Sequence, residues 1–260
     1  MSGEIVRQLT PEEAELVRKR EELASVRAVL AERELELIDL RAQLQSFEGL
    51  YLRQVGVLYA ELDDWDARVA ELEAALEDSP AARTRAEHAR QRADGTHEAT
   101  HGEASKVPDF KPSAELKGLF RDAAKRIHPD FAKDDADRKR RTHFMAVVNE
   151  AYSRGDADAL QRALDEYGEA SEALPGEGVG AELVRIIRQI AAARKHVAAI
   201  EHELISLRAS EIAKLRQDVE SAEQQGRDLL AELAKGISEQ VERARKEYEA
   251  MAKETKSRGK

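Results

Sequence analysis

An all-helical chain in which two long coiled-coil segments flank a small central helical unit is the expectation from the sequence, on three grounds. The composition is that of long helices: 36% of the residues are charged, 4% are aromatic, and Ala, Glu, Leu, Arg and Lys dominate. Apolar residues recur at heptad spacing through the N-terminal third, and comparable three-four spacing returns in the C-terminal third. The two coiled segments match in length, each about 100 Å at 1.5 Å per residue. An antiparallel hairpin that pairs them and carries the central unit at its tip is therefore expected. A parallel or antiparallel homodimer would bury the same stripes.

Composition also bounds function. A net charge of -10 opposes a general phosphate-binding surface, so no nucleic-acid partner is expected. With no cysteine, disulfides, thiolate catalysis and cysteine-based zinc sites are excluded. The N-terminus carries no apolar stretch like a secretory signal, and no apolar run is long enough to span a bilayer. The expectation is a soluble cytoplasmic protein with no cofactor and no membrane partner.

The first segment, residues 11–78, opens with Pro11 in a first helical turn and stops at Ser79-Pro80. Leu16, Leu23, Leu30, Leu37, Leu44, Tyr51, Leu58, Trp65 and Leu72 recur at every seventh position. A second column falls three residues later at Val26, Leu40 and Phe47, interrupted by Arg33, and four residues later from Val55 through Leu62, Val69 and Leu76. The step from Tyr51 to Val55 is a stutter that leaves the helix continuous. An exposed stripe of this length needs a partner helix. Residues 79–112 read as a polar linker. Ala81 to Ala93 can extend as polar helix, but Asp94-Gly95-Thr96 and Gly102 through Pro112 read as loop.

In residues 113–169, Ser113 is a candidate N-cap for a helix ending at Pro129. Leu116, Leu119, Phe120, Ala123 and Ile127 form its apolar face, while Lys117, Arg121 and Lys125 stack on another, with Arg126 beside them. A second helix begins after Asp134-Asp135 and runs to Tyr152; Gly155 stops it, and Asp156 caps a third from Ala157 to Tyr167. Residues 170–180 are a Gly/Pro linker whose glycines do not make a dinucleotide-binding fingerprint. The second coil, residues 181–252, runs through Leu183, Ile186, Ile190, Ala193, Val197, Ile200, Leu204 and Leu207, slips, and resumes from Ile212 to Met251. Gly226 and Gly236 should weaken it, each by about 1 kcal/mol relative to alanine. Residues 253–260 form a polar tail expected to fray.

The central segment also resembles a known family. His128-Pro129-Asp130 follows a helix in which Phe120-Arg121 and Ala124-Lys125-Arg126-Ile127 match the approach to the signature of a J-domain. Downstream, Asn149-Glu150-Ala151-Tyr152 matches the sequence that closes the long helix after that signature. The chain resembles the divergent class of J-domain (DnaJ-like) proteins, here with flanking coiled coils. It departs from the usual pattern in three ways. Pro108 and Pro112 leave no room for the usual first helix, Phe131 replaces the common basic residue after the signature, and no Gly/Phe-rich, zinc or standard client-binding module follows.

The resemblance implies a co-chaperone or adaptor that is not an enzyme and has no catalytic or metal residues. It would recruit and stimulate a DnaK-type ATPase chaperone through His128, Pro129, Asp130, Lys117, Arg121, Lys125 and Arg126. The cations would steer and register an acidic surface. Pro129 would fix the loop, Asp130 would offer a carboxylate to the ATPase, and His128 would position the loop by hydrogen bonding. The coils would hold a client or assembly partner, with a homodimer also possible. The alternative is a structural coiled-coil scaffold whose hairpin does not stimulate an ATPase.

Two further motifs carry candidate chemistry. His97-Glu98-Ala99-Thr100-His101 fits the zinc-protease pattern, in which two histidines one turn apart bind zinc and the glutamate activates water. It is bracketed by Gly95 and Gly102 in a polar stretch with no extended histidine pattern, so a zinc metalloprotease is the distant alternative. The run Arg138-Lys139-Arg140-Arg141 is offset by Asp134, Asp135 and Asp137 and reads as a solvated helix turn.

Overall fold

The computed structural model describes residues 10–102, 110–169 and 178–258. Most of the expected Gly/Pro linker and residues 103–109 of the expected loop lie outside them. The described chain is helical, with no strand among the described residues. Helix α1 spans Pro11–Tyr51, a π turn Leu52–Gly56, α2 Val57–Glu77, α3 Pro80–His101, α4 Ala114–Ile127, α5 Asp135–Ser153, α6 Ala157–Glu169, α7 Val179–Arg208, α8 Glu211–Gln224 and α9 Leu229–Arg258. No helix among the described residues is long and apolar enough to cross a membrane.

The chain divides into two compact units. The first comprises α1 up to Ala42 and the stretch from Phe110 to Arg208; the second comprises Gln43–Asp109 and Ala209–Lys260.

In the first unit, α1 and α7 bury their heptad columns against each other. Leu16, Leu23, Leu30 and Leu37 pack with Ile186, Ile190, Ala193, Ile200 and Leu204. Ion pairs flank this seam: Arg20 with Glu182 at 2.7 Å, Arg194 with Glu22 at 2.8 Å, Arg33 with Glu201 at 3.4 Å and Arg208 with Glu36 at 2.5 Å. Residue numbers rise together on both helices, so the pairing is parallel, which corrects the expected antiparallel hairpin. A heptad stripe is the same read in either direction, and matched length does not set polarity; the ion-pair register does.

The central segment does not sit at a hairpin tip either. It packs on the flank of α1, where Ala31 and Leu35, with Ile38 at the edge, enter the core formed by α4, α5 and α6. Its caps are as expected. The Ser113 and Asp134 side chains accept from Leu116 N at 3.1 Å and Asp137 N at 2.8 Å. Gly155 ends α5 at φ +73°, and Asp156 accepts from Ala159 N at 2.8 Å.

In the second unit, the stutter at Tyr51 to Val55 appears as the π turn Leu52–Gly56. A π turn inserts one residue without breaking the helix, which moves the apolar column by one position. Gly56 lies where α3 approaches: an added Cβ would stand 3.0 Å from Thr100 Cγ2 and 3.1 Å from Leu52 Cδ2. Asp78 in the left-handed conformation, the Ser79 N-cap and Pro80 then turn the chain into α3.

The expected polar linker is thus helical as far as His101, through Asp94-Gly95-Thr96. Ala82, Ala86, Ala89 and Ala93 bury one face, and Ala89 and Ala93 cluster with Ala67 and the partly buried Ala70. Arg90 reaches Glu71 and Asp64 at 2.8 and 2.9 Å, and Arg92 reaches Asp63 at 2.9 Å. Pairing with the C-terminal helices is again parallel: Gln43 accepts from Arg216 at 2.8 Å, and the Trp65 and Tyr248 rings lie 5.8 Å apart.

The second coil is three helices rather than one slipping helix. Ser210 caps α8, and Gly226 ends it at φ +74°, where the Arg227 amide bonds Ala222 O at 2.9 Å. The tail is helical up to Arg258. The two glycines therefore act oppositely. Gly226→Ala places a side chain in a left-handed site and should destabilise by about 1 kcal/mol, whereas Gly236→Ala, in open space within α9, should stabilise by about 1 kcal/mol. Thermal denaturation of the two variants gives the signs directly.

Candidate functional site

The site is the loop from His128 to Lys133, between α4 and α5. Its supports come first. Leu116, Phe120, Ala123 and Ile127 on α4 pack with Phe144, Met145, Val148 and Tyr152 on α5 and with Leu160, Leu164 and Tyr167 on α6. This holds the two loop ends at fixed separation. Pro129 starts a single 3-10 turn, Pro129–Phe131.

His128 is 1% exposed. Its Nδ1 accepts the Asp130 amide at 3.1 Å, and its Nε2 lies 3.2 Å from Glu34 Oε1 on α1. An Nδ1 that accepts an N–H has no proton, so the proton is assigned to Nε2, which donates to Glu34.

Asp130 Oδ2 accepts from His196 Nδ1 on α7 at 3.0 Å, and His196 Nε2 lies 3.4 Å from Glu34 Oε1. Both ring nitrogens of His196 thus face carboxylates, which favours the imidazolium. Its pKa is raised, chiefly by the Asp130 hydrogen bond against an opposing cost of burial. For Asp130, burial pushes upward, but the His196 hydrogen bond and nearby positive charge leave the carboxyl below its ordinary value.

The rest of the loop is tied down as well. Phe131 is buried in the α1–α7 seam, and the buried Gln189 donates to Phe131 O at 3.0 Å and Ala132 O at 3.2 Å. Arg141 donates to Arg126 O at 2.8 Å and to Asp137 Oδ2 at 2.9 Å. It thereby satisfies a carbonyl at the C-terminal end of α4. Burial would raise the Asp137 carboxyl, but hydrogen bonds from Arg140, Arg141 and the Lys133 amide hold it at about 2. The run 138–141 is therefore not simply a solvated turn, because Arg141 is a brace.

The structure splits the candidate residues. Lys117 meets Asp39 at 2.9 Å and Arg121 meets Glu32 at 3.1 Å, both acids on α1, and Tyr152 donates to Asp39 at 3.2 Å. With His128 on Glu34 and Asp130 on His196, four of the seven face the flanking helices. Lys125 and Arg126 have no ion pair among the described residues, and Pro129 is half-buried. Glu34, His196, Gln189, Arg141, Glu32 and Asp39 were missed by sequence reasoning. Leu35 and Ile38, apolar outside both columns, are the one signal that α1 has a second packing face.

Glu34, His128 and His196 bring one possible ligand atom each within 4.8 Å of one another, the kind of set that can hold a metal. The tautomer argues otherwise, since His128 Nε2 carries the proton and has no lone pair for a metal while Nδ1 accepts the Asp130 amide. The residues form a hydrogen-bonded chain instead. His97 and His101 are exposed on α3 with their rings stacked 4.1 Å apart, and no third histidine, aspartate or glutamate joins them among the described residues.

No family model matches this chain, and no solved structure matches it.

Proposed function

We propose that this chain is a J-domain-like co-chaperone or adaptor whose central segment recruits and stimulates a DnaK-type ATPase in the cytoplasm, while its paired long helices hold a client or assembly partner. The observation that carries the reading is the loop itself: a helix–His-Pro-Asp–helix unit in which His128 orders the Asp130 amide and Arg141 braces the preceding helix end. Ala31, Leu35 and Ile38 of α1 cover a face of this unit that the absence of the usual first helix would leave bare. Lys125 and Arg126 remain to meet an acidic surface. An ATPase would have to displace Asp39, Glu32 and Glu34 from the α4 face and His196 from Asp130.

Those intramolecular contacts favour a second reading, a coiled-coil scaffold in which the hairpin is a packing element and stimulates nothing. Single-turnover ATP hydrolysis by the host's DnaK-type proteins separates the two. The co-chaperone reading expects acceleration by the wild-type chain, largely abolished in Asp130→Asn and His128→Gln. Absence of acceleration with every such ATPase leaves the scaffold.

A further inference from the structure

We infer that a cleft of the first unit, between α1, α7 and the His128–Lys133 loop, is a binding site for a small oligophosphate-class anion. The cleft has a volume of about 610 Å³ and is lined by the cations Arg20, Arg27, Lys125, Lys133, Arg141 and Arg185, with Glu182 as the one acid in its lining. That local excess stands in a chain whose net charge is -10, so it is not the reflection of a generally basic protein.

The key residue is Arg27. Its guanidinium lies 4.5 Å from the centre of the buried Phe131 ring, which fixes it in place. Its Nε is buried, and no acceptor among the described residues reaches it. Burial, and then the charge of Arg141, lower its pKa. A partly desolvated guanidinium facing another cation is costly unless an anion completes it. The neighbours do not supply one. Glu182 is taken by Arg20 in a two-pronged contact at 2.7 and 2.8 Å, and Asp137 is shared by Arg140 and Arg141. Arg27, Lys125 and Lys133 are left without a carboxylate partner among the described residues.

Charge and shape select the ligand class. A single carboxylate would leave most of this positive charge uncompensated, whereas an oligophosphate brings three or more negative charges and oxygens that suit a planar guanidinium fork. The volume lies within the usual range for small-ligand sites. Phe131, the one aromatic side chain of the lining, already has Arg27 over its face, so the site recognises phosphate rather than a stacked base. This inference does not rest on the ATPase reading, although the two share Lys125.

Isothermal titration of the full chain with tripolyphosphate, at fixed ionic strength, tests it, with citrate and a triglutamate peptide as competing anions. One-to-one tripolyphosphate binding is expected, weakened about tenfold or more by Arg27→Gln and by Lys133→Gln, as for loss of a charge-assisted contact. Citrate and triglutamate should bind at least about tenfold more weakly than tripolyphosphate. Lys133 is exposed, so that variant keeps the test valid if Arg27→Gln does not fold. Absence of tripolyphosphate binding, equal binding by wild type and Lys133→Gln, or preference for either carboxylate overturns the inference.

Discussion

Phe120→Ala should remove about 3–5 kcal/mol from the first unit, enough to disorder the central helices while the second unit stays folded. Phe120 is 0% exposed, and its ring lies 4.9 Å from Tyr152, so truncation leaves a cavity at the meeting point of α4 and α5. Those helices are short. α4 has 14 residues, too few to persist in water without tertiary packing. Tyr152→Phe is the informative contrast. It keeps the ring and removes only the hydroxyl bond to Asp39, which retains Lys117, so about 1 kcal/mol is expected. Urea denaturation gives the magnitudes. Amide exchange localises them: in Phe120→Ala, protection should collapse in α4, α5 and α6 and persist in α2 and α3.

Protection of the Asp130 to Ala132 amides should depend on pH with a defined sign. His196 has a raised pKa, so its contribution to holding the loop is complete below the ordinary histidine value of 6.5 and is lost as pH rises through the raised value. Asp130 has a lowered pKa, so its contribution is complete above the ordinary value of 3.8 and is lost as pH falls through the lowered one. The loop is therefore held best between 3.8 and 6.5 and loosens on the alkaline side. Glu34 from α1, with Asp130 and His128 from the loop, faces the His196 ring; Arg138 lies near Asp130.

His196→Gln should flatten the alkaline limb and lower protection about two- to fivefold, the range for a partly exposed ion pair. Exchange must be corrected for its intrinsic base catalysis before comparison. Unchanged protection factors across pH in wild type would rule out the His196–Asp130 contact as what holds the loop. On the co-chaperone reading, the same variant frees the Asp130 carboxylate and should raise ATPase stimulation.

Much of the local structure was legible because it is written in short-range chemistry. Ser113, Asp134, Gly155 and Asp156 cap and stop helices where their side chains and conformational freedom require, and the stutter at Tyr51 to Val55 marked the π turn. Helix α3 beyond Ala93 was not legible. Its buried seam is alanine set among charged residues, and Asp94-Gly95-Thr96 carries the chemistry of a turn. Packing against α2 overrides that propensity. Gly226 has the sequence context of a weak point within a helix but is a helix end, because a single glycine cannot announce which φ its surroundings will impose.

The candidate loop shows the same division. The helix–turn–helix frame around His128-Pro129-Asp130 is legible in the sequence, but the groups that meet those residues are not. Glu34 and His196 are separated by more than a hundred and fifty positions and look like ordinary charged and polar residues of coil faces. Phe131, a departure from the resembled pattern, is the residue that seats the loop in the α1–α7 seam.

By itself the sequence determined that the chain is helical and how the central helices α4, α5 and α6 are capped, since periodicity and capping act within a few residues. Only the tertiary structure decided that α1 and α7 run parallel and that Lys117, Arg121, His128 and Asp130 face partners within the chain. Apolar stripes specify how much surface must be buried, but not the direction or identity of what buries it.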